Sequence, residues 1–242
     1  MKYEKYRAFL KGDLQFDLTK PINPLADSDQ SKGLPMPPSE KPYDIEDLIY
    51  LPNPTDINLI KRDIIDIIDS RESKRIPYGE FTLEELSFVL WATYGVRINN
   101  NPEKKRTVPS AGARYPFDAY VLALDVINLQ KGLYRYIWSK QAIVPVYISE
   151  ENIEAFKQYT MPMGAINIIW VVVPYRGEWR YMQHSHRACL IDVGHMGQNG
   201  YLAAEALGRG CCAIGGYSQQ DIDRLLGLDG VDEFACYIEA FM

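Results

Sequence analysis

The chain has 242 residues, 47% hydrophobic and 24% charged, and 32 acidic against 26 basic side chains leave a net charge of −6. That balance excludes a protein built to track nucleic-acid phosphates or an anionic membrane surface, both of which select for surplus Lys and Arg. The length allows one sizeable buried core, and no run approaches the roughly 20 apolar residues of a membrane helix.

Residues 1–48 are rich in Pro, Asp, Ser and Lys around "DSDQSKGLPMPPSEKP" and read as an extended arm without a core of its own. Its aromatics Tyr3, Tyr6, Phe9 and Phe16 point to an arm that packs against something. The start, "MKYEKYRAFLKGD", lacks the apolar centre of a signal peptide, so a cytoplasmic location is expected. A folded domain is expected over 49–242.

In "TDINLIKRDIIDIIDS" (55–70), Ile57, Ile60, Ile64, Ile67 and Ile68 recur at helical spacing, with Thr55 or Asp56 as cap. A second helix is expected from "TLEELSFVLWATYGV", where Thr82 and Glu85 make a capping box. A basic, Pro-rich loop follows (99–116), in which Lys104 and Lys105 either steer a nicotinamide dinucleotide or are merely solvated. Then come strand-like runs at 117–126, 132–138 and 142–148, the last two a hairpin around Ser139–Gln141. A short helix (149–159) precedes "AINIIWVVVPY", read as a central strand. Residues 187–209 form the longest helix, whose Gly194, Gly197, Gly200, Ala203 and Ala204 would admit another helix closely. "GCCAIGGY" (210–217), a short helix (218–228) and a final strand (234–242) complete the chain. Helices and strands interleave without a βαβ rhythm, which favours an α+β sandwich on a mixed sheet over a doubly wound parallel one.

Cys189, Cys211, Cys212 and Cys236 have no CxxC spacing and read as small core residues. With His184, His186 and His195 the only histidines, no metal site is expected, although His184 and His186 could share a strand face. The segment "SRESKR" (70–75) is more pointed. Arg71, Ser73 and Arg75 alternate, so an extended backbone turns all three one way. Two guanidinium forks flanking a hydroxyl suit a dianionic phosphate; spacing alone leaves open a solvated charge run balanced by Asp66, Asp69 and Glu72.

Taken with "RTVPSAGARYP" (106–116), "GLYRY" (132–136), "YLAAEALGRGCCAIGGY" (201–217) and the closing strand, "SRESKR" resembles the nitroreductase-like flavoproteins, in particular their SagB-type dehydrogenase branch, which includes azoline oxidases of peptide-modifying gene clusters. The resemblance implies a three-layer sandwich with a long central helix at the interface of a homodimer, and an FMN at each of two interface sites. It implies Arg71, Ser73 and Arg75 on the flavin phosphate and ribityl chain, Pro109, Ser110, Ala111 and Gly112 along the ring, and Gly215 and Gly216 beside its reactive edge. It also implies an oxidoreductase passing hydride between a donor such as NAD(P)H and a nitro compound or quinone; a dehydrogenase returning electrons to oxygen, or a flavin binder without turnover, are the alternatives. The azoline oxidases carry a Lys-Tyr pair where this chain has Arg180-Tyr181, and arginine is a poor base. Tyr181 is therefore the candidate acid or binding residue, with Arg180 beside it. Many nitroreductases add a basic residue to the phosphate site from a segment after the last strand; Arg106 or Arg224 is the expected substitute here.

Overall fold

A computed structural model describes residues 25–61, 63–75, 77, 79–98, 105–159 and 162–242. The arm's Tyr3, Tyr6, Phe9 and Phe16, and Lys104 of the basic loop, lie outside the described residues. Seven strands, β1 (Ile49–Tyr50), β2 (Phe117–Ala123), β3 (Gly132–Ile137), β4 (Ala142–Val146), β5 (Ile166–Val172), β6 (Cys211–Ile214) and β7 (Phe234–Phe241), form one sheet in the order β1-β4-β3-β2-β5-β7-β6. Every strand pair is antiparallel, and the parallel component is confined to the isolated bridge Phe81–Val126. Among the described residues six α-helices accompany it: α1 (Ile64–Ser70), α2 (Leu83–Tyr94), α3 (Glu150–Tyr159), α4 (Tyr175–Tyr181), α5 (Ser185–Ala206) and α6 (Gln219–Leu226).

The period-two alternation of the strands builds three layers. On β5, Ile166, Ile168, Trp170 and Val172 face the core under α2 and α5, whereas Ile169 and Val171 face the core under α3 and α6. Both β2 and β5 are buried along their whole length, which is why they read as nearly continuous apolar runs. The capping box on α2 forms as expected: Thr82 Oγ1 accepts from the Glu85 amide and Glu85 from the Thr82 amide. The β3–β4 hairpin also forms.

The first expected helix is shorter than its isoleucine periodicity. Residues 55–61 turn instead, because the Ile60 and Lys61 amides donate to the Ala206 carbonyl at the end of α5 (2.9 and 3.0 Å) and are lost to a local helix. Asp63 then caps α1, accepting from the Ile65 and Asp66 amides. The small residues of α5 also serve a different end from helix packing. A Cβ at Gly197 would stand 2.8 Å from the Tyr237 ring, and one at Gly200 would collide with the Glu239 carboxyl. These glycines admit large side chains of β7.

Helix α4 has no sequence signal of its own. It is fastened by a buried two-pronged ion pair, Arg176 Nη1 and Nη2 to the Asp118 carboxylate of β2, each 3.0 Å. Arg176 Nε also donates to the Pro38 carbonyl, Trp179 Nε1 to that of Leu34, and Tyr175 to Asp29, so residues 29–38 lie across α4. Farther on, Arg135 holds the carbonyls of Lys41 and Pro42. The described part of the arm thus packs on its own chain.

Candidate functional site

The segment after α1 is extended, and alternation sorts its side chains as expected at the first two positions. Ser73 Oγ lies 2.8 Å from the Tyr201 hydroxyl, and the Arg71 guanidinium stands 5.3 Å from the Tyr201 ring. Lys74 turns the other way, to the Glu205 carboxylate (2.9 Å), which also takes Lys61 (2.5 Å) and Ser70 (2.9 Å). The Lys74 amide pairs with the Cys211 carbonyl and the Tyr201 hydroxyl accepts from the Ala213 amide, so "SRESKR" is bound along β6 at a defined register. Arg75 is exposed and without an ion pair among the described residues. Burial would raise the Glu205 pKa, but Lys61, Lys74 and Ser70 together pull it down to about 2. Neither expected substitute completes this cluster. Arg106 is buried, its guanidinium 3.8 Å from the Tyr94 ring and 4.0 Å from that of Trp138; Arg224 pairs with Asp221 at 2.7 Å.

Pro109–Gly112 gathers elsewhere on α5. The Ala111 amide donates to Asp192 Oδ1 (3.3 Å), and Ser110 bonds the same carboxyl while accepting from the Tyr115 amide. Burial nonetheless raises the Asp192 pKa above the usual range, against the opposing pull of Ser110, Ala111 and His195. Gly112 has φ of 57°, followed by Ala113 at 52° and Tyr115 at 49°; Met182, across from them, has 51°. Non-glycine residues held in the left-handed region cost free energy and concentrate at functional sites. The strained turn fits under Tyr181, whose hydroxyl would collide with a Cβ at Gly112. Arg180 stands 5.4 Å from the Tyr181 ring, and its buried Nε has no partner; the buried Ser185 Oγ beside Tyr181 has none either.

Gly215 and Gly216 leave β6 exposed, with no atom within 4 Å of a Cβ built on either. No neighbour among the described residues demands glycine there. Tyr217 returns to bond the Ala235 carbonyl (3.1 Å). The β5–β7 register slips between Trp170 and Val171, a bulge that skips Cys236. Cys236 lines a cavity of about 730 Å³ with Val172, Pro174, Cys189, Leu190 and Phe234. His186 and Glu178 meet at its margin at 2.6 Å. His184 and His186 therefore do not share a strand face, and no group of three or more possible metal ligands occurs among the described residues.

All these parts hang on α5. Tyr201 carries Ser73 and Arg71, Asp192 carries Ser110 and Ala111, and Cys189 lines the cavity; from Cys189 to Tyr201 is about 18 Å along the helix. The structure brings Arg71 to Ser73 and Gly112 to Tyr181, but it keeps these two pairs apart within one chain. Tyr201, Asp192 and Glu205 were not legible as site residues, since each is one of several polar side chains spread along a long helix.

The nitroreductase family pattern matches residues 70–240. Over 175 residues the chain is 34% identical to "Putative nitroreductase MJ1384" of Methanocaldococcus jannaschii, covering 71% of this chain and 86% of that protein. It is 23% identical to the microcin B17-processing protein McbC of Escherichia coli over 134 residues, 52% of this chain and 49% of McbC. Its fold matches the crystal structure of a nitroreductase-like protein from Ralstonia eutropha JMP134 with a TM-score of 0.65 at 22% identity, over 81% of this chain and 88% of that one. The chain belongs to the nitroreductase family.

Proposed function

We propose that this nitroreductase-family oxidoreductase is FMN-dependent, passing hydride between a donor such as NAD(P)H and an organic acceptor, a nitro compound or a quinone. The observation that carries the reading is Tyr201 holding Arg71 and Ser73 while its hydroxyl accepts from the Ala213 amide, two residues before the open main chain of Gly215–Gly216. The residues fit the cofactor: an exposed cation at Arg75, a hydroxyl at Ser73, and, among the described residues, open space over two glycines where a flat ring can approach backbone.

FMN, when bound, supplies acceptance and donation of hydride. This chain's part is to bind and orient it. Arg71, Ser73 and Arg75 would hold the phosphate and ribityl end, and the Gly215 and Gly216 amides would be the donors to the ring edge, fixed N–H dipoles of the kind that stabilise negative charge. Pro109, Ser110, Ala111 and Gly112 would hold the ring, with Tyr181 as proton donor or binding group and Arg180 beside it.

A homodimer with the flavin between protomers agrees with two features. The ring-side and phosphate-side groups are separated along α5 within one chain, and Ile64, Ile65 and Ile68 of α1 and Leu190 and Ile191 of α5 are exposed. Exposed apolar surface of this kind marks protein interfaces. Among the described residues no helix is long and apolar enough to cross a membrane; a cytoplasmic location belongs to the same proposal.

The likeness to McbC favours a second reading, a SagB-type dehydrogenase acting on an azoline-like substrate with oxygen as acceptor. Arg180 cannot give up its proton readily, so that chemistry would rest on Tyr181. Purified protein decides. A flavin spectrum bleached anaerobically by NADH or NADPH supports the first reading. A spectrum that no nicotinamide bleaches supports the second or a binder without turnover, and protein that neither contains nor takes up FMN contradicts all three. Sedimentation tests the dimer.

A further inference from the structure

Around Tyr181 and Gly112 stand two guanidinium groups with no carboxylate partner among the described residues. Arg114 leaves the strained turn with its Nε donating to the Gly112 carbonyl (3.3 Å) and its Cζ 5.2 Å from the Trp179 ring. Arg180 flanks Tyr181, whose hydroxyl covers Gly112, the residue whose carbonyl Arg114 holds. Neither has an ion pair among the described residues. The acids around them are engaged elsewhere: Asp192 with Ser110 and the Ala111 amide, Glu178 with His186, and Asp29 with Tyr175. Arg180 Nε is buried without an acceptor, which is costly for a group that ought to be hydrogen-bonded. Burial and the charge of Arg180 both press the Arg114 pKa downward, while Tyr181 opposes them.

Two guanidinium groups that meet around Tyr181 and Gly112 without a carboxylate partner among the described residues, one of them with a buried donor unused, are suited to an anion that joins them. A paired guanidinium fork favours planar or tetrahedral oxyanions through charge-assisted, two-pronged hydrogen bonds. We propose that Arg114 and Arg180 form a binding site for an oxyanionic group, carboxylate or phosphate, carried by the small molecule that reacts at Tyr181. Recognition of the anion rests on this chain alone, and only its placement on a reacting molecule rests on the flavin reading.

The test is calorimetric titration with 4-nitrobenzoate, 4-nitrophenyl phosphate and the uncharged 4-nitrobenzyl alcohol, with and without FMN. Both anions should bind roughly tenfold or more tightly than the alcohol, and higher salt should narrow the gap. Arg114→Gln and Arg180→Gln should each remove most of that preference, whereas Arg180→Lys should keep part of it by retaining charge without the fork. Tighter binding of the phosphate would identify a phosphoryl site, and of the benzoate a carboxylate site. Alcohol binding as tight as either anion overturns the proposal, as does a preference that survives both Gln variants in folded protein. Should FMN fail to bind while the anion preference holds, the flavin reading falls and this site stands; should FMN bind and displace both anions, the site is the flavin's own and this proposal falls.

Discussion

Trp170 Nε1 donates to Glu239 Oε2 over 2.7 Å, joining two neighbouring strands at the fully buried centre of the sheet. Glu239 also accepts from the Cys211 thiol and lies against Gly200 of α5, with no ion pair among the described residues. Burial raises its pKa to about 8, against the smaller opposing pull of Trp170 and Cys211. A group whose pKa is raised by folding binds more protons folded than unfolded, so stability falls as pH rises from about 4.5 to about 8. Glu239→Gln should be near neutral at pH 5 and more stable than the parent at pH 8 by a few kcal/mol. Urea unfolding at the two pH values checks this, and equal differences at both would contradict it.

Glu205 behaves oppositely. Its pKa is lowered to about 2 by Lys61, Lys74 and Ser70 in spite of burial, so its contribution is full above about pH 4.5 and is lost as pH falls toward 2. Glu205→Gln should therefore flatten the acid limb of the unfolding curve between those values. Monitoring far-ultraviolet circular dichroism during acid titration reads that limb; an unchanged limb would show that the cluster adds nothing.

The Arg176–Asp118 pair joins α4, β2 and the arm. Removing one partner of a buried ion pair leaves the other charge uncompensated, so Arg176→Ala should cost about 3–5 kcal/mol. Limited proteolysis should then cut near residues 29–38 faster than in the parent. Loss of stability without faster cleavage there would mean that the arm is held without Arg176.

Gly112→Ala meets both a left-handed backbone and the Tyr181 hydroxyl. A cost of about 1 kcal/mol from the backbone alone is expected, with more from the collision. Tyr181→Phe should return part of the second contribution, so a double-mutant cycle in urea should show coupling between the two positions. Strict additivity would place the entire cost in the backbone.

For the flavin, a hydrogen bond to a charged group is worth about 1.5–3 kcal/mol, so Ser73→Ala and Arg71→Gln should each weaken FMN binding roughly ten- to hundredfold. Quenching of FMN fluorescence on titration into flavin-free protein measures it. Unchanged affinity in both variants would remove "SRESKR" from the phosphate site.

Local chemistry decided much of the fold in advance. The Thr82–Glu85 box, the hairpin at Ser139–Gln141, the buried run of β5 and the long helix through Gly200 all follow from capping, turn residues and periodicity over a few residues. The alternation of Arg71 and Ser73 is equally local. What they alternate toward is not: Tyr201 lies 128 residues from Ser73. Helix α4 exists because Arg176 finds Asp118, 58 residues away, and α1 is cut short because Ala206 captures two of its prospective amides. Burial, too, was decided only in three dimensions. The same side-chain type is an enclosed cation at Arg106, an exposed one at Arg75 and one laid over the Trp179 ring at Arg114, because a charge's environment depends on chain segments that sequence spacing does not bring together.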